Sequence, residues 1–183
     1  MRHEELYQPW GTVTPAFWES SGAPQPAAAS PYAAPVEEVP RTVHEQLSAI
    51  AAAAAAGQHA EASAQAHRLD EEITAQYGES HLHTVHIREV RAHIAHLAED
   101  HSAAVGWYLH TARLRAAVQG NDHPDTEHAT LLVYSLWRAL PTADSVRLGG
   151  DLLATVTDLY GPDAPLAART RRRLTSLTAS SSA

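Results

Sequence analysis

The 183-residue sequence contains neither cysteine nor lysine. The absence of cysteine excludes disulfide bonds, thiolate metal sites and a cysteine nucleophile. The longest apolar run, residues 49–56, has eight residues, whereas a membrane-spanning helix needs about 20. No basic segment followed by an apolar stretch opens the chain. These absences predict a soluble cytoplasmic protein with no membrane partner.

Positive charge is also scarce. All 13 basic residues are arginines, and they stand against 21 Asp and Glu residues, for a formal net charge of -8. Because nucleic-acid binding requires clustered positive charge, no nucleic-acid partner is expected. The length predicts one domain, of roughly 100 to 200 residues, and a tail.

The first 40 residues differ in composition from the rest of the chain. They contain seven prolines and show no apolar periodicity, and proline fixes φ and lacks an amide donor. We therefore expect a disordered tail over residues 1–40, a helical domain over 41–178 and a flexible C-terminus over 179–183. The tail holds four candidate aromatic anchors: Tyr7, Trp10, Phe17 and Trp18. Three hypotheses remain open: the anchors dock on a partner, the tail occupies the protein's own groove, or the tail only solubilises the chain.

Good helix formers dominate from Thr42 onward, and glycine or proline recurs only at intervals. This pattern predicts an all-α domain with no strand. The seven expected helices cover residues 41–56, 59–77, 82–98, 101–119, 124–139, 142–160 and 165–178.

The helical region repeats itself with a period of 42 residues. The superposed residues are Thr42, Thr84 and Thr126; His44, His86 and His128; His59 and His101; Ala62 and Ala104; Gly78 and Gly120; and His81 and His123. A further shift of 41 carries Gly120 to Gly161 and Pro124 to Pro165. Matches at turns and helix starts predict three stacked helical hairpins followed by a capping helix.

Equivalent positions in the repeats also predict core residues. In the second helices these are Ala62, Ala104 and Val146. In the first helices they are Ala52, Ile94 and Leu136, and, near the helix ends, Ala55, Leu97 and Ala139. Four aromatic residues at helical spacing are expected to pack in the core or between hairpins: Trp107, Tyr108, Tyr134 and Trp137.

The Gly-Asn-Asp-His-Pro-Asp-Thr segment at 120–126 precedes a helix, a tight turn and a second helix with an early alanine. This arrangement resembles the long tetratricopeptide repeats of kinesin light chains and many bacterial regulatory proteins. The period also fits HEAT or armadillo repeats, but the glycine and the His-Pro-Asp-Thr start favour the tetratricopeptide family. The family's paired asparagines are absent, and Glu89 and Leu131 lie at two of their positions.

The resemblance implies an α-solenoid of three hairpins and a C-terminal capping helix, in which the first helix of each pair lines a concave groove. It also implies a non-enzymatic scaffold or adaptor that binds a peptide or protein segment. Spacing of three and four residues along the first helices and the capping helix predicts the groove residues. These are His44, His86, Glu89, His93, His96, His128, Leu131, Arg138, Arg169 and Arg172.

The arginines at the C-terminal end suit an acidic segment or a terminal carboxylate. Alternatively, they complement the helix dipole and solvate an exposed end. The alternatives for the histidines are structural hydrogen bonding, contact with a bound peptide, pH sensing and metal ligation. Residues spread over three helical turns cannot converge on one ion, so no metal or cofactor is expected.

No nucleophile elbow, phosphate loop or zinc-protease motif occurs, so enzymatic activity is not expected. The alternative function is a regulatory sensor that responds to a ligand or signalling peptide. A short array of this kind also suits a subunit of a larger complex.

Overall fold

The computed structural model describes residues 40–181, so the predicted tail with its four aromatic anchors lies outside the described residues. Within them the chain is all-helical and contains no strand, which confirms the predicted class. The helices are α1 (Arg41–Ala55), α2 (His59–Tyr77), α3 (Leu82–Leu97), α4 (His101–Gln119), α5 (Pro124–Ala139), α6 (Thr142–Tyr160) and α7 (Pro165–Ser181). The last helix extends past its predicted end, so residues 179–181, which were assigned to a flexible terminus, are helical.

Helix starts and ends repeat as the sequence predicts. Gly78 and Gly120 end α2 and α4 with φ of 87° and 97°, a left-handed backbone that glycine adopts without a Cβ clash. His81 and His123 precede α3 and α5, and each accepts a 3.2 Å bond through Nδ1 from the amide two residues further on. Residues 42 positions apart therefore build the same local structure.

Helices that follow one another in the chain also pack against one another, from α1 to α7. In addition, α4 contacts α6. These are the second helices of neighbouring predicted hairpins.

Two clusters of buried side chains hold the helices together. One joins α1, α2 and α3 around Leu69 and Ile87. The other extends from α3 to α7 around Trp137, whose indole N–H donates a 2.8 Å bond to the carbonyl of Ser145. All four aromatic residues expected in packing contribute to this second cluster, which confirms that prediction.

The core predictions are confirmed for Ala62, Ala104 and Ile94 and wrong for Ala52 and for the three residues at the ends of the first helices, while Leu136 is half-buried. Ala62 and Ala104 are completely or almost completely buried, and Val146 is half-buried. In contrast, Ala55, Leu97 and Ala139 are exposed, with Leu97 at 39%. Each is the last residue of its helix, where the chain already turns away from the packed interface.

None of the helices among the described residues is both long and apolar enough to cross a membrane.

Candidate functional site

Two charge clusters lie beside α3. The first, here named the closed cluster, consists of Glu89, Arg115, Gln119 and Asp125. The guanidinium of Arg115 on α4 donates to both carboxylate oxygens of Glu89 on α3, at 2.6 and 2.8 Å. Its remaining nitrogen donates to Gln119 at 2.9 Å and to Asp125 at 3.4 Å. The Glu89 and Arg115 side chains are only 8% and 10% exposed, so the pair is shielded from water.

Burial controls the electrostatics of the closed cluster. It raises the pKa of Glu89, while the hydrogen bonds from Arg115 act in the opposite direction. For Arg115, burial favours the neutral form, but Glu89 and Asp125 outweigh this effect and raise its pKa. Burial, followed by the charge of Arg115, lowers the pKa of nearby His86 to about 4. His86 is therefore neutral at physiological pH.

The second cluster, here named the open cluster, consists of Asp70, Arg88, Arg91 and His110. Both arginines of α3 share the buried carboxylate of Asp70 on α2, Arg88 at 3.1 Å and Arg91 at 2.5 Å. The Arg91 guanidinium also lies 4.0 Å above the ring of Trp107 on α4, a cation–π contact. The carboxylate of Asp70 thus accepts hydrogen bonds from two guanidinium groups.

Arg88 also contacts His110, and this contact defines the state of the imidazole. The Arg88 Nη1 lies 2.9 Å from His110 Nε2. Because a guanidinium only donates, Nε2 must accept and the proton of the neutral ring resides on Nδ1. Burial, followed by the charge of Arg88, lowers the pKa of His110, which favours this neutral form.

A depression of about 550 Å³ opens beside the open cluster, between α2, α3 and α4. Its lining includes Glu79, Arg88, Arg91, Gly106, Trp107 and His110. Here the charged groups of the open cluster meet open space.

The predicted groove residues of α3 are not uniformly available to a partner. Glu89 was expected to face a ligand, but its carboxylate is buried and bonded to Arg115. His86, His93 and His96 are half-buried. Burial, with a smaller contribution from His96, lowers the pKa of His93. Burial and then His101, whose ring nitrogen lies 3.3 Å from that of His96, lower the pKa of His96.

The predicted groove residues of α5 and α7 are exposed. On α5 these are His128, Leu131 and Arg138, and on α7 they are Arg169 and Arg172. Leu131 is 47% exposed, which is uncommon among the large apolar side chains of this structure. His44, on α1, is half-buried.

An arginine contact joins α5 to α7. The Arg173 guanidinium donates a 2.8 Å bond to the carbonyl of Arg138 and lies 5.7 Å from the Trp137 ring. We name Arg138, Arg169, Arg172 and Arg173 the arginine surface. Among the described residues, none of these four arginines forms an ion pair with a carboxylate. The buried residues Arg88 and Arg115 and the half-buried residue Arg91 all do.

No three His, Asp or Glu side chains converge as metal ligands within the part of the chain that the structure describes. The three histidines that repeat every 42 residues differ in exposure, since His44 and His86 are half-buried and His128 is exposed.

Sequence reasoning missed Asp70, Arg88, Arg91 and Arg115 as members of clusters. One signal was present: these charges occupy positions whose equivalents in the next hairpin are uncharged. The residues 42 positions after Asp70, Arg88 and Arg91 are Ala112, Thr130 and Val133, all buried. A charge at a position that is buried elsewhere in a repeat indicates a buried partner.

Neither protein-family models nor curated proteins gave a match to the chain. The function of the chain is therefore inferred from its own residues.

Proposed function

We propose that this chain is a non-enzymatic helical-repeat module that binds an acidic peptide or protein segment through the arginine surface. In this proposal α1 to α6 form three tetratricopeptide-like hairpins and α7 caps the array. The repeated glycine and histidine geometry at the helix ends supports this arrangement. So does the packing of successive helices.

The observation that carries the proposal is the contrast between paired and unpaired arginines. The arginines of α3 and α4 in the two clusters are paired with carboxylates. In contrast, Arg138, Arg169 and Arg172 are exposed, and the Arg138 guanidinium lies 5.8 Å from the Tyr134 ring. A guanidinium recognises a carboxylate through two parallel hydrogen bonds. An acidic segment would therefore supply the carboxylates that these three arginines do not pair with in the described part of the chain.

Leu131 provides a second contact on α5, two helical turns before Arg138. An exposed apolar side chain near exposed arginines suits a partner segment that combines acidic and apolar residues. We infer that the bound segment carries at least one apolar residue beside its acidic residues.

Selection from a displayed peptide library tests this function. We expect the intact chain to enrich peptides rich in Asp and Glu. A triple variant, Arg138→Glu, Arg169→Glu and Arg172→Glu, should bind a selected peptide at least about tenfold more weakly, since each charge-assisted bond contributes about 1.5 to 3 kcal/mol.

The matched control carries the same charge change on other exposed arginines: Arg41→Glu, Arg68→Glu and Arg113→Glu. It should retain most of the affinity, and circular dichroism should show equal helix content in both variants. Equal weakening in both triple variants, or selected peptides without acidic enrichment, would refute recognition by the arginine surface.

A further inference from the structure

We propose that the depression beside the open cluster is a binding site for a carboxylate ligand. It lies on α2, α3 and α4, whereas the arginine surface lies on α5 and α7. The site therefore does not depend on the function proposed above. It is a shallow, open depression lined by charged side chains, which a ligand can reach from solvent.

The guanidinium groups of Arg88 and Arg91 offer hydrogen-bond donors at the depression. Arg91 uses Nη1 for Asp70, and its side chain is 21% exposed. The Nη2 of Arg88 has only long contacts, 3.5 Å to Thr74 and 3.6 Å to the exposed carboxylate of Glu79. Such distances lie beyond those of strong charge-assisted bonds. A ligand carboxylate could make shorter bonds to these two guanidinium groups and displace Glu79.

The side chains of Arg88 and Arg91 are each held in place by more than one contact. The Arg88 side chain is 10% exposed and is held by Asp70 and His110. The Arg91 guanidinium is held between Asp70 and the face of Trp107. Donors that are already ordered lose little conformational entropy when a ligand binds.

Gly106 lies in the interior of α4 and lines the depression. Glycine destabilises a helix interior relative to alanine. A Cβ at Gly106 would have no atom within 4 Å, whereas a Cβ at Gly149 would lie 2.6 Å from Leu174. Packing within the protein therefore explains Gly149 but neither Gly106 nor Gly150, and of these two only Gly106 lines the depression. The missing side chain keeps the depression open.

These features together point to a ligand whose carboxylate reaches Arg88 and Arg91 while its body lies over Gly106. The carboxylate could belong to a small organic acid or to a peptide. Both have the same recognition chemistry, and the experiment separates them.

The test follows the indole N–H signal of Trp107 by NMR in the full-length chain, with assignment from a Trp107→Phe variant. The probes are succinate, a short peptide that ends in glutamate, and succinamide as the uncharged match to succinate. We expect saturable shifts of the Trp107 signal with at least one carboxylate probe at concentrations up to about 10 mM. Succinamide should cause none.

Two variants test the geometry. Arg91→Gln should weaken binding about tenfold or more, because a charged donor is replaced by a neutral one. Gly106→Leu should abolish the saturable shifts by filling the depression, yet raise the melting temperature, because leucine favours the helix.

The matched control is Gly150→Leu in the interior of α6, where a Cβ also has open space. It should raise the melting temperature and leave binding unchanged. A shift with succinate alone supports a small acid, and a shift with the peptide alone supports a peptide. The proposal is wrong if neither carboxylate gives a saturable shift, or if Gly106→Leu binds like the unmodified chain.

Discussion

Arg88 and Glu89 are neighbours in α3, yet they belong to clusters with different properties. In the closed cluster one carboxylate meets one guanidinium, and the other donors of Arg115 are directed at Gln119 and Asp125. In the open cluster Asp70 is shared by two guanidinium groups beside a depression. Every nitrogen of the Arg115 guanidinium has a close partner in the closed cluster, whereas Arg88 Nη2 in the open cluster has only contacts of 3.5 and 3.6 Å. An ion pair of the first kind holds two helices together, and one of the second kind can, in our proposal, also receive a ligand.

The largest expected effect comes from breaking the closed cluster. Arg115→Met should lower the free energy of unfolding by about 3 to 5 kcal/mol, because it leaves the buried carboxylate of Glu89 without its partner. Urea unfolding measures this loss. A double variant that adds Glu89→Leu should recover most of it, since no buried charge remains. Equal losses in the single and double variants would show that the pair acts through packing alone.

Lowering the pH should destabilise the folded chain through His86, which lies near the closed cluster, and through His110 of the open cluster. The pKa of His86 is about 4 in the folded protein against 6.5 for an unperturbed histidine, so between these values the unfolded chain binds the extra proton. The stability from neutral His86 is complete above about pH 6.5 and is lost as the pH falls toward 4. Between pH 7 and 4.5, His86→Gln should therefore lose about 2 to 3 kcal/mol less stability than the unmodified chain.

Denaturant unfolding at several pH values measures this difference. His110→Gln should change the acid dependence in the same direction, since burial and Arg88 lower the pKa of His110. His128→Gln, at the exposed position 42 residues after His86, is the matched comparison variant. An unaltered acid dependence in His86→Gln would show that this histidine does not contribute.

A smaller effect is expected from the open cluster. Arg91→Gln should lower the free energy of unfolding by about 1 to 2 kcal/mol, because Asp70 keeps the hydrogen bond from Arg88. Thermal or urea unfolding against Arg115→Met gives the comparison. If the two arginine variants were equally destabilised, the distinction between the clusters would fail.

Salt should produce the smallest difference. Arg91 is about twice as exposed as Arg115, 21% against 10%, and salt screens exposed charges more than buried ones. Raising the salt concentration should reduce the cost of Arg91→Gln by about 0.5 kcal/mol and leave the cost of Arg115→Met nearly unchanged. Unfolding in low and high salt checks this, and equal changes in both variants would contradict it.

The helices were predictable because their signals are local. Gly120, His123 and Pro124 lie within five residues of one another and end one helix and begin the next. The candidate sites were less predictable. Glu89 has the spacing of a groove residue, and only the position of Arg115 shows that it is buried.

The arginine surface was partly predictable from the sequence. The sequence indicates a cationic end, since Arg169 and Arg172 follow one another at helical spacing. Their helix is joined to Arg138 by the contact between Arg173 and the end of α5. That contact joins residues 35 positions apart.

The positions of helices and turns follow from the amino-acid sequence, because capping residues and glycines with positive φ act over a few residues. Which charges form pairs depends on tertiary packing. Glu89 and Arg115 are 26 positions apart, and Asp70 and Arg88 are 18 apart. Such pairs form or fail with the rotation and packing of whole helices, which the 42-residue period does not specify.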